Sequence, residues 1–387
     1  MKVLFSGAVL QSGWTGGEPL AARLLVEGFK ARGIEVLTAA EPRQGLELAM
    51  LASTPVDLDL VAVRRYRRLL RRHKPDVVLG FYDYDTSLCA ASDAEHVPFV
   101  ACVQIHWPAC PIGTLYIDGS GICSGPSWAK CIRHFASGVP PSRLPGAMAT
   151  IPAPLGAIVY AKFASRRSIL RRASCLVVPS QQMNAELTSV GYARVVTVPS
   201  GIALGDIPAV AWPAGPKQVL YPSGSATERK GLSDFLEVAK SLASEGLGTV
   251  FAAPNYPGNG VVPPMPYLSR PDLLRLIGRS YLTVLPIRWD EPFGLVALES
   301  MACGRPVIAY DSGALPDIVV DGETGVLVPR GDRHALETAV RTLVQDDSLA
   351  RRMGAAGRRR VEDHFTVDLM AEGYLRVVKQ VLEARSN

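Results

Sequence analysis

Short apolar runs alternate with amphipathic stretches along most of the chain, and that alternation predicts an α/β protein. Residues 2–5, 33–37, 75–80, 98–105, 174–180 and 195–198 read as strands in the first half. Residues 19–32, 61–74 and 156–172 carry helical spacing between them, and Ser180 fits the N-cap of a further helix. A second series follows, with strands over 218–224, 281–287, 306–309 and 324–328. Its helices are predicted over 232–245 and 267–278, from Pro292 through Ala302, as two helices within 332–365, and over 367–385. A Pro/Gly/Ala-rich stretch over 204–216 separates the two series and reads as a linker.

Length and charge narrow the class. A chain of 387 residues exceeds one ordinary core and predicts more than one domain. The net charge of +5 is modest and carries no basic or acidic tail, so nucleic acid is not an expected partner. Apolar runs stay short of the roughly 18 residues a spanning helix needs, and the opening Met1–Phe5 reads as a first strand rather than a leader. Seven cysteines scattered through so long a chain fit a reducing cytoplasm better than a disulfide framework.

The richest chemistry lies in residues 291–308, E-P-F-G-L-V-A-L-E-S-M-A-C-G-R-P-V-I. Pro292 suits a first helical turn, Leu295, Leu298, Met301 and Ala302 recur at helical spacing, and Gly304 suits the stop. The start of such a helix offers unpaired N–H groups and a positive dipole end, which suit a diphosphate. Glu291 before the helix and Glu299 two turns on could accept hydrogen bonds from sugar hydroxyls. A capped helix with one solvated glutamate is the plainer alternative.

This stretch resembles the signature of the retaining GT-B glycosyltransferases of the large family 4, some of which act in natural-product synthesis of the aminoglycoside type. The resemblance implies two Rossmann-like domains facing across a cleft, a nucleoside diphosphate (NDP) sugar as co-substrate and retention at the anomeric carbon. It places an acceptor-side domain over 1–200, a donor-binding domain over 201–366 and a helix over 367–387 that returns to the first domain. Arg229 and Lys230 match the basic pair that grips the donor diphosphate, with Ser223 and Gly224 in the loop before them. Glu291 would hold the hexose, Glu299 the ribose, and backbone N–H groups of Phe293, Gly294 and Leu295 the phosphates. Gly16 and Gly17 match a Gly-Gly pair bordering the diphosphate, and His106 matches a histidine near the transferring sugar. Two positions depart from the pattern: Ser200 stands where an Asn is usual, and Asp317 where a Glu is.

The acceptor side is read from residues of the first half. Asp83 and Asp85 follow a predicted strand, where two carboxylates would favour a cationic acceptor such as an aminocyclitol of antibiotic biosynthesis; helix capping by Asp85 is the alternative. The basic amphipathic stretch 61–74 suits a solvated surface, and equally an anionic membrane, which would bring a lipid or cell-envelope acceptor. Residues 110–134 are similar to an insertion that usually carries four cysteines; here Cys110, Cys123, Cys131 and His134 could form a tetrahedral zinc site. No D-x-D element stands in a suitable place, so a catalytic metal and other cofactors are not expected, the basic pair supplying the positive charge. The expected enzyme is a hexosyltransferase using a UDP-linked donor and a small polar acceptor. A non-catalytic sugar-nucleotide-binding protein is the reading from another class.

Overall fold

The computed structural model describes residues 1–6, 17–39, 58–81, 86–111, 113–117, 121–137, 153–208, 211–223, 227–247 and 249–386. Its contacts divide the chain into two compact units. One comprises residues 1–117, 122–198 and 371–387, and the other residues 118–121 and 199–370.

The first unit is built on a parallel sheet. Its strands are β1 (Lys2–Ser6), β2 (Glu35–Ala39), β3 (Val77–Gly80) and β4 (Phe99–Cys102), then, after a small two-stranded sheet of β5 (Tyr116–Ile117) and β6 (Gly121–Ile122), β7 (Cys175–Val178) and β8 (Val195–Thr197). The order across the main sheet is β2-β1-β3-β4-β7-β8. Val3 sits opposite both Val36 and Val77, so β1 lies between β2 and β3. β3, β4 and β7 are buried throughout, as a parallel sheet covered on both faces requires, which is why their sequences are unbroken apolar runs rather than alternating ones. The helix Leu60–His73 begins at Asp59, whose carboxylate accepts from the N–H groups of Val61 and Ala62. Its arginines face outward, and two of them, Arg67 and Arg71, pair with Glu95 at 2.6 and 2.7 Å. The last helix, Val367–Ser386, contributes Tyr374, which is fully buried with its ring 6.0 Å from that of Phe81.

The second unit repeats the plan with β9 (Lys217–Leu220), β10 (Thr249–Ala252), β11 (Leu282–Leu285), β12 (Val307–Tyr310) and β13 (Gly325–Val328), all parallel, in the order β10-β9-β11-β12-β13. Tyr221, Phe235, Phe251, Tyr281, Ile308, Tyr310 and Leu343 fill its core. β10 has no counterpart among the predicted strands; four residues flanked by Gly248 and Pro254 are too short a run to read as a strand by periodicity. The sheet order reverses between β9 and β11, since the chain moves from β9 to β10 on one side and then to β11 on the other. Ligands of such sheets bind at the carboxyl ends of the strands flanking that reversal. Here those ends carry the loops 221–231 and 286–294. Among the described residues no helix is long and apolar enough to cross a membrane.

Candidate active site

The loops after β9 and β11 are joined through the backbone. Arg288 and Trp289 donate their N–H groups to the carbonyl of Arg229, at 2.9 and 3.3 Å. Glu228–Lys230 forms a short 3₁₀ turn closed by Gly231 at φ +75°. A Cβ on Gly231 would stand 1.7 Å from the carbonyl oxygen of Pro286, so no larger residue fits between these loops. Arg288 braces the turn from its other side. It binds Asp234 through Nε and Nη2, at 2.7 and 2.6 Å, and also pairs with Glu228. Asp234 is fully buried and accepts a further bond from the Tyr310 hydroxyl at 3.0 Å.

This frame brings Lys230 and Glu291 together across 61 positions of sequence. Lys230 Nζ lies 2.5 Å from Glu291 Oε2, and the same oxygen accepts from the indole N–H of Trp289 at 2.8 Å. The Trp289 ring also meets both neighbouring cations, with Arg229 at 5.0 Å and Lys230 at 5.1 Å from its centroid. The two side chains of the ion pair are 20% and 13% exposed, so water screens the pair only in part. On the far side, Ala314 N–H donates to the Glu291 carbonyl at 2.8 Å, and Arg330 holds Asp290 at 2.6 Å. The result is a carboxylate and two cations held on a rigid base at the sheet reversal.

The helix beside them spans Leu295–Ala302. It begins later than the predicted start at Pro292, because Gly294 takes the left-handed φ of +98° and cannot belong to the helix. No side chain caps it, and Ala297 N–H turns back to the Gly294 carbonyl at 2.9 Å. Phe293 is buried, its ring 6.2 Å from that of Phe365. Glu299 is buried at 3% exposure and accepts from Arg270 Nε at 2.9 Å; Arg270 in turn reaches Asp206 through Nη1 at 3.0 Å. Burial pushes the Glu299 carboxyl above its ordinary pKa, and the Arg270 guanidinium works against that shift.

The remaining sequence-derived residues fall elsewhere. His106 is fully buried after β4, its Nδ1 2.7 Å from Glu186 Oε2 on the helix Gln181–Ser189. Gly17 opens the helix Gly17–Ala31, and Ser223 is half-buried in the loop after β9. Gly16, Asp83, Asp85 and Gly224 lie outside the described residues. Cys110, Cys123, Cys131 and His134 do line one small cavity, of about 10 Å³, but no three such side chains among the described residues come together to hold a metal. The Cys123 thiol turns to the carbonyl of Gly125 at 3.6 Å, and Lys130 brings a positive charge to the same carbonyl at 2.9 Å. Burial raises the Cys131 thiol to about 11, which keeps it protonated.

Three residues of this site are not legible in the sequence. Trp289 and Arg288 stand just before Glu291, but an aromatic and an arginine there have no distinctive spacing. Arg270 lies 29 positions from Glu299 and carries no local signal at all.

Two parallel α/β units, with a paired carboxylate and adjacent cations at a sheet reversal, define the GT-B class. Comparison with known proteins agrees. Residues 259–360 match the family described as glycosyl transferases group 1, and residues 16–201 the glycosyl transferase 4-like domain. The chain is 30% identical over 229 residues to glycogen synthase of Mycobacterium tuberculosis, a match covering 51% of this chain and 52% of that protein. It is 41% identical over 95 residues to D-inositol 3-phosphate glycosyltransferase of Thermobifida fusca, covering 24% of this chain and 21% of that protein. The chain thus spans about half the length, or less, of these relatives. Among solved structures, sucrose-phosphate synthase of Thermosynechococcus elongatus superposes with a TM-score of 0.69 at 19% identity, covering 99% of each chain. Anabaena HepE in complex with UDP and glucose superposes at 0.66 with 15% identity, covering 98% of this chain and all of that one.

Proposed function

We propose that this protein is a retaining hexosyltransferase that moves a sugar from an NDP-sugar to a small polar acceptor. The observation that carries this reading is the Lys230–Glu291–Trp289 constellation at the β9/β11 reversal, beside an uncapped helix start. Arg229 and Lys230 meet the diphosphate and stabilise the negative charge it gains as it leaves. The N–H groups at the start of Leu295–Ala302 add to this. Glu291 receives hexose hydroxyls, and Glu299, oriented by Arg270, receives the ribose. In the transfer, the acceptor hydroxyl oxygen bonds to the anomeric carbon from the face that the diphosphate leaves. The departing phosphate oxygen takes the hydroxyl proton, which preserves the configuration. His106, tied to Glu186, is assigned to the acceptor side. UDP is the proposed nucleotide, supported by the UDP and UDP-glucose complexes of the structural relative HepE.

Asp83 and Asp85, which follow β3 in sequence, support an amine-bearing acceptor such as an aminocyclitol. Names among the relatives, D-inositol 3-phosphate glycosyltransferase and N-acetyl-α-D-glucosaminyl L-malate synthase, show that this group includes proteins acting on small polar molecules. A second reading, a lipid acceptor, is favoured by the helix Leu60–His73, where Leu60 and Val61 are 65% and 57% exposed ahead of an arginine-rich face. Thermal shift against a panel of NDP-sugars identifies the donor. Acceptor kinetics of Asp83→Asn and Asp85→Asn then test the rest: acceptor KM is expected to rise while donor affinity stays constant. An unchanged KM, or flotation with liposomes and transfer to a lipid, would overturn the amine reading and leave the donor site standing. Absence of both transfer and donor hydrolysis with every sugar nucleotide would overturn the enzyme reading.

A further inference from the structure

The first unit holds a second basic concavity, at the opposite strand ends from those that ligands of such sheets use. It measures about 310 Å³ and is lined by residues just before β4, β7 and β8, by the end of the helix Thr86–Ala94 and by the last turn of Val367–Ser386. That volume sits at the lower end of the range of small-ligand sites. Arg172, Arg194 and Arg385 supply three guanidinium groups and His96 an imidazole, against the single carboxylate of Asp93. Asp93 is already paired with Arg172 at 3.3 Å. The guanidinium groups of Arg194 and Arg385 make no hydrogen bond or ion pair with the described residues, though the Arg194 carbonyl accepts from Leu176 N–H at 2.8 Å. They come from a strand entry and a helix end nearly two hundred positions apart.

Ser92 is fully buried in the wall of this cavity, and its hydroxyl has no hydrogen-bond partner. The rest of the lining is rich in cations, so an anion with acceptor oxygens answers the excess charge. Guanidinium groups match phosphate oxygens in geometry as well as charge.

We propose that this cavity is a binding site for a phosphomonoester, separate from the donor site and held by Arg172, Arg194 and Arg385. The phosphate could be that of a free metabolite or of a lipid headgroup, and these two sources separate by experiment. Glycerol 3-phosphate is titrated calorimetrically into the full chain, and phosphatidic acid vesicles are used in parallel flotation. Wild type and Lys230→Ala are expected to bind the same probe equally, since Lys230 belongs to the other unit. The double variant Arg194→Gln/Arg385→Gln should bind about tenfold more weakly or worse, the loss expected from charge-assisted hydrogen bonds. Raising the salt concentration should weaken binding in the wild type more than in that variant. Titration by glycerol 3-phosphate assigns the site to a free metabolite; binding to vesicles alone assigns it to a headgroup. Where the double variant fails to fold, Arg194→Gln by itself carries the test. Binding of neither probe to the wild type would overturn the proposal, as would binding lost in Lys230→Ala and unchanged in the arginine variant.

Discussion

Replacing Lys230 with alanine probes the centre of the site most directly. The ammonium lies 2.5 Å from Glu291 Oε2, with both side chains largely buried. In the resting protein its removal leaves the Glu291 carboxylate with the Trp289 indole as its remaining partner of those described above. A charge-assisted bond of this kind contributes about 1.5–3 kcal/mol, so unfolding should become easier by a comparable amount. In the proposed reaction the same ammonium would face the charge that develops on the leaving diphosphate. Loss of one such donor costs roughly 10²–10³ in rate, or about 2.7–4 kcal/mol of barrier. Steady-state transfer or donor hydrolysis gives kcat/KM, and chemical denaturation gives the stability. The pair with Glu291→Gln separates the two effects. If Lys230 acts partly by holding Glu291, the double variant should lose less than the sum of the single losses. Near wild-type kcat/KM in a folded Lys230→Ala protein would refute the assignment.

Other expectations follow from the same geometry. Gly231→Ala forces a side chain into the Pro286 carbonyl at a left-handed φ, so stability should fall by about 2–5 kcal/mol, read as a lower denaturation midpoint, with activity lost even under native conditions. Arg270→Ala strips Glu299 of the guanidinium that holds it; removing one partner of a buried pair costs about 3–5 kcal/mol, and donor Kd by calorimetry should rise, whereas an Arg270→Lys variant should recover part of the binding. If Arg229 and Lys230 supply the positive charge as proposed, EDTA should leave turnover intact, measured before and after Mg²⁺ is restored. Arg71 and Arg67 hold the Glu95 carboxyl down at about 2, so the stability it lends is present above the ordinary carboxylate range and is lost as pH falls toward that value. A melting-temperature profile from pH 6 to 2 should therefore flatten in Glu95→Gln.

The sequence by itself determined the α/β class, since unbroken apolar runs such as 77–80 and 175–178 can be buried on both faces only in a covered parallel sheet. It also singled out Arg229 with Lys230, and Glu291 with Glu299, because each pair lies within one short stretch of the chain. It did not show β10, whose four residues carry too little period, or the start of Leu295–Ala302, which depends on the left-handed turn at Gly294. Nor does spacing along the chain say where thiols point, so that Cys110, Cys123, Cys131 and His134 line one cavity is a tertiary result. Only the tertiary structure decided that Lys230 meets Glu291 and that Arg270 meets Glu299. Those pairs join segments 61 and 29 positions apart. The first follows from strand order: β9 and β11 are neighbours in the sheet though β10 lies between them in sequence. Local pattern records which residues are buried. Which distant side chains meet is set by how the strands are ordered, and Gly231 leaves just enough room for these two loops to touch.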